Sequence, residues 1–317
     1  MRTDHGAMDT SRSQETTGQA LMVAGSLLLG TLGVFVHESG QHPLMAVWAR
    51  CAFGALALGA WALASGRLHE LRLRGRALGA ALAAGGLMVL NWSLFFAAMA
   101  HVPIGLATLV VHAQPFWVMA LAALWLHEPV GRWQAGAAAA AMLGLVLASG
   151  VAGDGGGGLA LGTGLAGGLL MCLAASFTYA VVTLIAKGAA GASPLALAWW
   201  QCLVGTVLLA GWPLVHGLPT APSAWAWLAG LGVLHTGLAY VLMYEGMARL
   251  PAERIAVLQF VYPGAALLVD WAVYGQALGP LQSAGVGLMA VALWASRSRP
   301  AGAPGPRPWR TRGRPAD

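Results

Sequence analysis

Charge is what this chain of 317 residues has least of. Asp, Glu, Lys and Arg together make up 9% of it, against about a quarter in an average soluble domain. A fold in water could not cover its surface with so few charges. Lysine occurs once, at Lys187, and all the other basic residues are arginine. With abundant alanine and glycine, that bias fits a GC-rich bacterial genome. Cysteine is nearly absent too. Cys51, Cys172 and Cys202 are odd in number, lie in apolar segments and lack metal-ligand spacing, so they read as small core residues. No metal or cofactor is expected. A G-x-x-x-x-G-K-[ST] stretch is missing, which excludes an ATP-driven pump within this chain. Ser93, Ser176, His112 and His235 are raw material for an intramembrane hydrolase, but no G-x-S-x-G surrounds either serine. No enzyme is expected. Residues 1–17 lack the apolar core and cleavage site of a removed signal peptide, so they read as a polar tail.

What the chain does contain is apolar sequence: 58% of residues, with a mean hydropathy of +0.69. It falls into ten segments, near 18–36, 43–65, 77–99, 104–126, 133–150, 161–186, 194–214, 223–247, 252–274 and 279–296. A helix needs about 20 residues to cross a ~30 Å hydrocarbon core. Only helices and closed barrels satisfy their backbone groups in lipid, and runs this long and uniform are helical. The glycine run Gly155–Gly158 after Asp154 reads as a flexible joint within 151–160, and the Pro/Gly/Arg-rich stretch 297–317 as a basic tail.

The chain also contains itself. At a shift of 148, Met99, Pro103, Pro115, Gly131 and Gln134 meet Met247, Pro251, Pro263, Gly279 and Gln282. At a shift of 151, Pro43, Trp48, Arg50, Cys51 and Gly54 meet Pro194, Trp199, Gln201, Cys202 and Gly205. Two blocks in matching order at nearly one offset mean an internal duplication. The halves are 18–150 and 161–296.

Basic residues set the orientation. Arg67, Arg72, Arg74, Arg76, Arg132, Lys187, Arg249 and Arg254 all follow even-numbered segments, and the loops after odd-numbered segments hold none. The positive-inside rule makes the basic side, with both termini, cytoplasmic. Arg50 is the exception. The net charge of +6 therefore reflects topology and gives no support to a nucleic-acid partner. The lipid bilayer is the partner it implies, and the basic tail can touch anionic headgroups. Five segments per half force the halves to cross the membrane in opposite senses. The fold class is an all-α membrane protein of ten transmembrane helices, built as two inverted five-helix repeats. That plan is common among secondary transporters, whose small-molecule substrate sits near the midplane between the repeats.

Several stretches resemble the drug/metabolite transporter superfamily in its ten-helix, EamA-type branch. They are HPLMAVWAR in segment 2, the A-x-x-x-x-P link before segment 4, the block from Pro115 to Glu128 ending in LHEPV, and GLAYVLMYEGMARLPAERIAVLQFVYP in the second half. The resemblance implies a carrier in the inner membrane, usually an exporter of amino acids or related metabolites, with no bound cofactor. A drug or nucleoside-like permease is the alternative, ahead of a channel or a scaffold. A homodimer is compatible with this reading. One departure stands out: segment 9 ends in Gly275-Gln276 where the family usually has Gly-Glu.

Polar residues inside the membrane are costly and often functional. Asn91 and Trp92 in segment 3, Tyr179 in segment 6, and His235 and Tyr240 in segment 8 are candidates for a shared cavity. Trp92 and Tyr240 are repeat equivalents. His112 and Gln114 precede Pro115, and Gln259 precedes Pro263, at places where proline should break the helix and expose polar groups. Packing and helix kinks explain the same residues without function. Glu245 and Arg249 read as an i,i+4 surface pair, and Glu128 as a solvated helix end.

Arg50 and Asp270 have no local partner in sequence. Arg50 lies about 10 Å below the start of segment 2 and Asp270 about 8 Å from the end of segment 9, at similar depth in opposite halves. Each costs at least ~2.5–3.5 kcal/mol alone in hydrocarbon. They read either as an ion pair between the repeats or as a coupling site, with Asp270 taking a proton or a substrate amine.

Overall fold

The structure, a computed structural model, describes residues 3–102, 104–149, 164–188, 191–275 and 279–296. The linker 151–160, Gln276 and the tail 297–317 lie outside the described residues. Ten helical segments follow one another. They are α1 (Ser13–Ser39), α2 (Pro43–Ala64), α3 (Gly75–Ala98), α4 (Leu106–Trp125), α5 (Arg132–Ala148), α6 (Leu165–Gly188), α7 (Pro194–His216), α8 (Pro222–Met247), α9 (Ala252–Tyr274) and α10 (Pro280–Ala295). Eight are long and apolar enough to cross a membrane, while α5 and α10 are shorter apolar helices. These two, of 17 and 16 residues, reach about 25 Å at 1.5 Å per residue.

The distribution of polarity is that of a protein in lipid. Leu56, Trp61, Leu124, Leu170, Val291 and Trp294 face outward, whereas Arg50, Asn91, Gln201, His235, Thr236 and Gln259 are buried. Lipid tails satisfy the first group, and only other protein groups can satisfy the second.

Helix ends follow local chemistry. Proline opens α2, α7, α8 and α10 in the first turn, where its missing N–H costs nothing. Ser193 caps α7 by accepting from Ala196 N. Between α2 and α3 the chain makes a 3-10 turn, Leu68–Leu71, pinned where Trp200 Nε1 donates to Leu71 O at 2.9 Å. There the Arg67 guanidinium donates to Glu70 and holds its carboxyl below the ordinary carboxylate range. Glu245 pairs with Arg249 one turn on, as the spacing predicts. The N-terminal stretch differs from expectation. Helix runs back to Thr3 in place of a loose tail, because the polar stretch holds no proline and extends a helix already nucleated by α1.

The repeats interlock. Helix α1 packs on α8 and α9 as α6 packs on α3 and α4, and α2 packs on α8 as α7 packs on α3. Equivalent helices cross each other at α2·α7, α4·α9 and α5·α10. At α2·α7 the contact is reciprocal. Gly54 lies against Cys202 and Gly205 against Cys51, where a Cβ on Gly205 would come within 2.6 Å of Cys51 Sγ. Small residues let helix backbones approach when no hydrophobic drive between helices exists.

Candidate functional site

Three of the central helices are irregular. Helix α4 is interrupted between Val111 and Gln114, and α9 between Leu258 and Val261. Proline clashes with the carbonyl four residues back, which from Pro115 is Val111 and from Pro263 is Gln259. The breaks thus fall at repeat-equivalent places, as the sequence predicts. They leave buried polar atoms without hydrogen-bond partners: Gln114 Nε2 and Gln259 Oε1. Gln259 Nε2 makes one long contact, 3.4 Å, to Thr183 Oγ1.

The third irregularity was not legible. Helix α8 widens to π-helical turns over Leu231–Leu238, a feature often found at functional sites. Its Thr236 Oγ1 donates to Leu231 O at 3.1 Å. Gly232 allows close approach to α2, since a Cβ there would stand 2.3 Å from Phe53 Cβ.

Against that stretch lies Arg50. The guanidinium is 8% exposed. Nε donates to Thr236 Oγ1 at 2.8 Å and Nη2 to Tyr240 OH at 3.3 Å. Its carbon sits 5.3 Å from the Trp92 ring centre and 5.8 Å from that of Tyr240, within cation–π range. Tyr179 and Tyr262 pack, with Trp92, on the hydrophobic cluster that contains Tyr240. Tyr240 in turn neighbours Tyr244, with ring centres 5.8 Å apart, and Tyr244 OH donates to Gln201 Oε1. Gln201, the repeat equivalent of Arg50, is buried with its Nε2 unpartnered.

The expected ion pair is not formed. No contact joins Arg50 to Asp270 among the described residues. Arg50 turns toward α8, where the π-helical turns present Thr236 and the α-helical turn after them presents Tyr240. Asp270 instead lines a cavity of about 400 Å³ between α4, α5 and α9, with Thr108, His112, Ser149, Tyr262 and Ala266. His112 Nδ1 lies 2.7 Å from Thr108 O, and its ring stacks on Tyr262 with centres 6.0 Å apart. Tyr262, whose ring faces His112, lines the same cavity as Asp270.

The sequence-derived candidates divide accordingly. Trp92 and Tyr240 border Arg50, Tyr179 packs on the same cluster, and His112 lines the cavity. Gln114 and Gln259 sit at the helix breaks. Asn91 and His235 do helix-to-helix work. Asn91 Nδ2 donates to Ala175 O at 2.6 Å, joining α3 to α6. His235 is fully buried, with Nε2 2.8 Å from Thr31 Oγ1 and its ring 4.5 Å from that of Phe35, joining α8 to α1. Tyr262 and Gln201 escaped sequence reasoning. Arg50's repeat alignment with Gln201 was the available signal.

At the opposite end of α4 and α9 the two helices are fastened. Glu128 is no free helix end: Oε1 lies 3.0 Å from Lys187 Nζ and Oε2 accepts from Ala252 N at 2.9 Å. Lys187 also donates to Leu250 O at 2.8 Å. Glu253 Oε2 reciprocates, accepting from Gly131 N at 2.7 Å. Each carboxylate satisfies an N–H at the start of the other repeat's helix, α9 or α5, where the helix dipole favours negative charge. The repeat-equivalent positions, Val36 for Lys187 and Gly105 for Glu253, carry no charge.

Comparison with known proteins places this architecture. A protein of Bacillus subtilis (strain 168) named uncharacterized transporter YxxF is 26% identical over 263 residues, 82% of this chain and 83% of its own length. An uncharacterized transporter of Archaeoglobus fulgidus is 27% identical over 266 residues, 82% of this chain and 89% of its own length. A solved crystal structure, 20% identical, shares the fold with a TM-score of 0.79 over 89% of this chain and 96% of that one. The EamA-like transporter family matches residues 16–150 and again 166–297, covering both repeats, and the chain belongs to that family.

Proposed function

We propose that this membrane transporter is a secondary carrier that exports amino acids or related small metabolites across the bacterial inner membrane by alternating access. The observation that carries the reading is the pair of broken helices α4 and α9. Their crossing holds a cavity lined by His112 and Asp270 at one end and the Glu128–Lys187–Glu253 fastening at the other. Unfastening one end while the other closes would expose the same central residues to the opposite side, which suits repeats of inverted sense. In the proposed orientation the fastened end is cytoplasmic and the cavity opens outward. Export is the direction that the resemblance implies.

A screen of toxic metabolites, with and without overexpression, tests export directly. Raised tolerance to a defined set of solutes is expected. In proteoliposomes the same solutes should show saturable uptake and counterflow. A flux that does not saturate would make the protein a channel and overturn the reading.

A further inference from the structure

Arg50 is a buried cation that no carboxylate balances among the described residues. A charge taken out of water is costly unless paired. Hydroxyls of Thr236 and Tyr240 and two aromatic faces stabilise it in part. They fill Nε and Nη2, while Nη1 makes no hydrogen bond among the described residues. A guanidinium has five N–H donors in a planar fork matched to a carboxylate. The second observation is Gln201, the equivalent residue on α7, whose buried Nε2 is likewise an unfilled donor. Unused donors on equivalent helices of both repeats, linked through Tyr240 and Tyr244 to a positive charge, suit an anion. No second cation stands in the cluster, so one negative charge balances it and a phosphate dianion does not. Tyr262, which lines the cavity with His112 and Asp270, packs on the same hydrophobic cluster as Trp92 and Tyr240.

We propose that Arg50 is the receptor for a carboxylate group on the transported solute, held by its free guanidinium edge over Trp92 and Tyr240. This rests on the carrier reading above and adds a specificity determinant to it. The bound carboxylate would be the counter-ion that Arg50 lacks, so a solute without one should occupy the site poorly.

The test compares matched solutes in proteoliposomes of the full chain: the twenty common amino acids as one mixture, and their C-terminal amides as another. Wild-type protein should move the acids with a KM at least ~10-fold below that of the amides, the size of one charge-assisted hydrogen bond. Arg50→Gln should raise the KM for acids by a similar factor and leave that for amides within twofold. Arg50→Lys, which keeps the charge but loses the planar fork, should raise the KM for acids several-fold and leave that for amides within twofold, and serves as the second variant if Arg50→Gln does not fold; an unchanged KM for acids overturns the assignment. Equal movement of acids and amides by the wild type overturns the assignment, as does an Arg50→Gln protein that keeps the preference. Neither mixture moving also overturns it, while the metabolite screen still judges the carrier reading separately.

Discussion

Each buried polar side chain here is either spent or available, and the difference separates structure from function. His235 is spent. Its Nε2 faces Thr31 and its ring abuts Phe35, so it fastens α8 to α1. His235→Leu should destabilise the protein in detergent by about 1–3 kcal/mol, since the bond to Thr31 is lost, Thr31 keeping only Leu28 O, and the ring contact with Phe35 goes with it. Followed by thermal unfolding beside transport, the variant should melt earlier with an unchanged KM. A changed KM at unchanged stability would return His235 to the binding site. Asn91 is spent in the same sense, because Ala175 O takes its amide. Arg50, Gln114, Gln201 and Gln259 retain capacity.

Among the elements, α4 and α9 decide the behaviour. Prolines at equivalent positions break both, so each half-helix can tilt without breaking the regular hydrogen bonds of the other half. The fastening at one end is charged, while its sequence equivalents Val36, Gly105 and Gln276 carry no charge, so on the proposed mechanism the two ends open at different cost. Removing one partner of a charge-assisted hydrogen bond costs about 1.5–3 kcal/mol, enough to shift a two-state population by ~10-fold or more. The double variant Glu128→Gln, Glu253→Gln should therefore open the fastened end. In a cysteine-free background, a cysteine at Val130 should then react several-fold faster with a small water-soluble thiol reagent. An unchanged rate would show that the carboxylates close nothing.

For the whole molecule, duplication and charge asymmetry together predict inversion. Gly40 after α1 and Gly191 after α6 are repeat equivalents, and both have positive φ, +60° and +89°. The two turns therefore share a left-handed backbone suited to glycine. In inverted repeats they lie on opposite faces of the membrane. Reporter fusions at Gly40 and Gly191 should read opposite sides, with Gly191 cytoplasmic. The same side for both would end the inverted-repeat description and the alternating-access reading with it.

Ten helical segments, their bounds to within a few residues except at the start of the first, the duplication and the breaks before Pro115 and Pro263 were legible in the sequence. These depend on local quantities: length of apolar run, backbone chemistry of proline, and repetition. The sequence also marked Arg50 and Asp270 as needing an explanation. Only the tertiary structure decided which partners they have. Similar depth did not bring them together, because a side chain's partner depends on helix rotation and on what its neighbours offer. Rotation is set by packing, such as Gly205 against Cys51 and Gly232 against Phe53. The π-helical turns of α8 likewise leave no signature in composition, yet they carry Thr236, which meets Arg50. Glu128 shows the same limit at the other end. Its neighbours in sequence suggest a solvated helix terminus, and its neighbours in space, Lys187 and Ala252 N, make it a fastening between repeats.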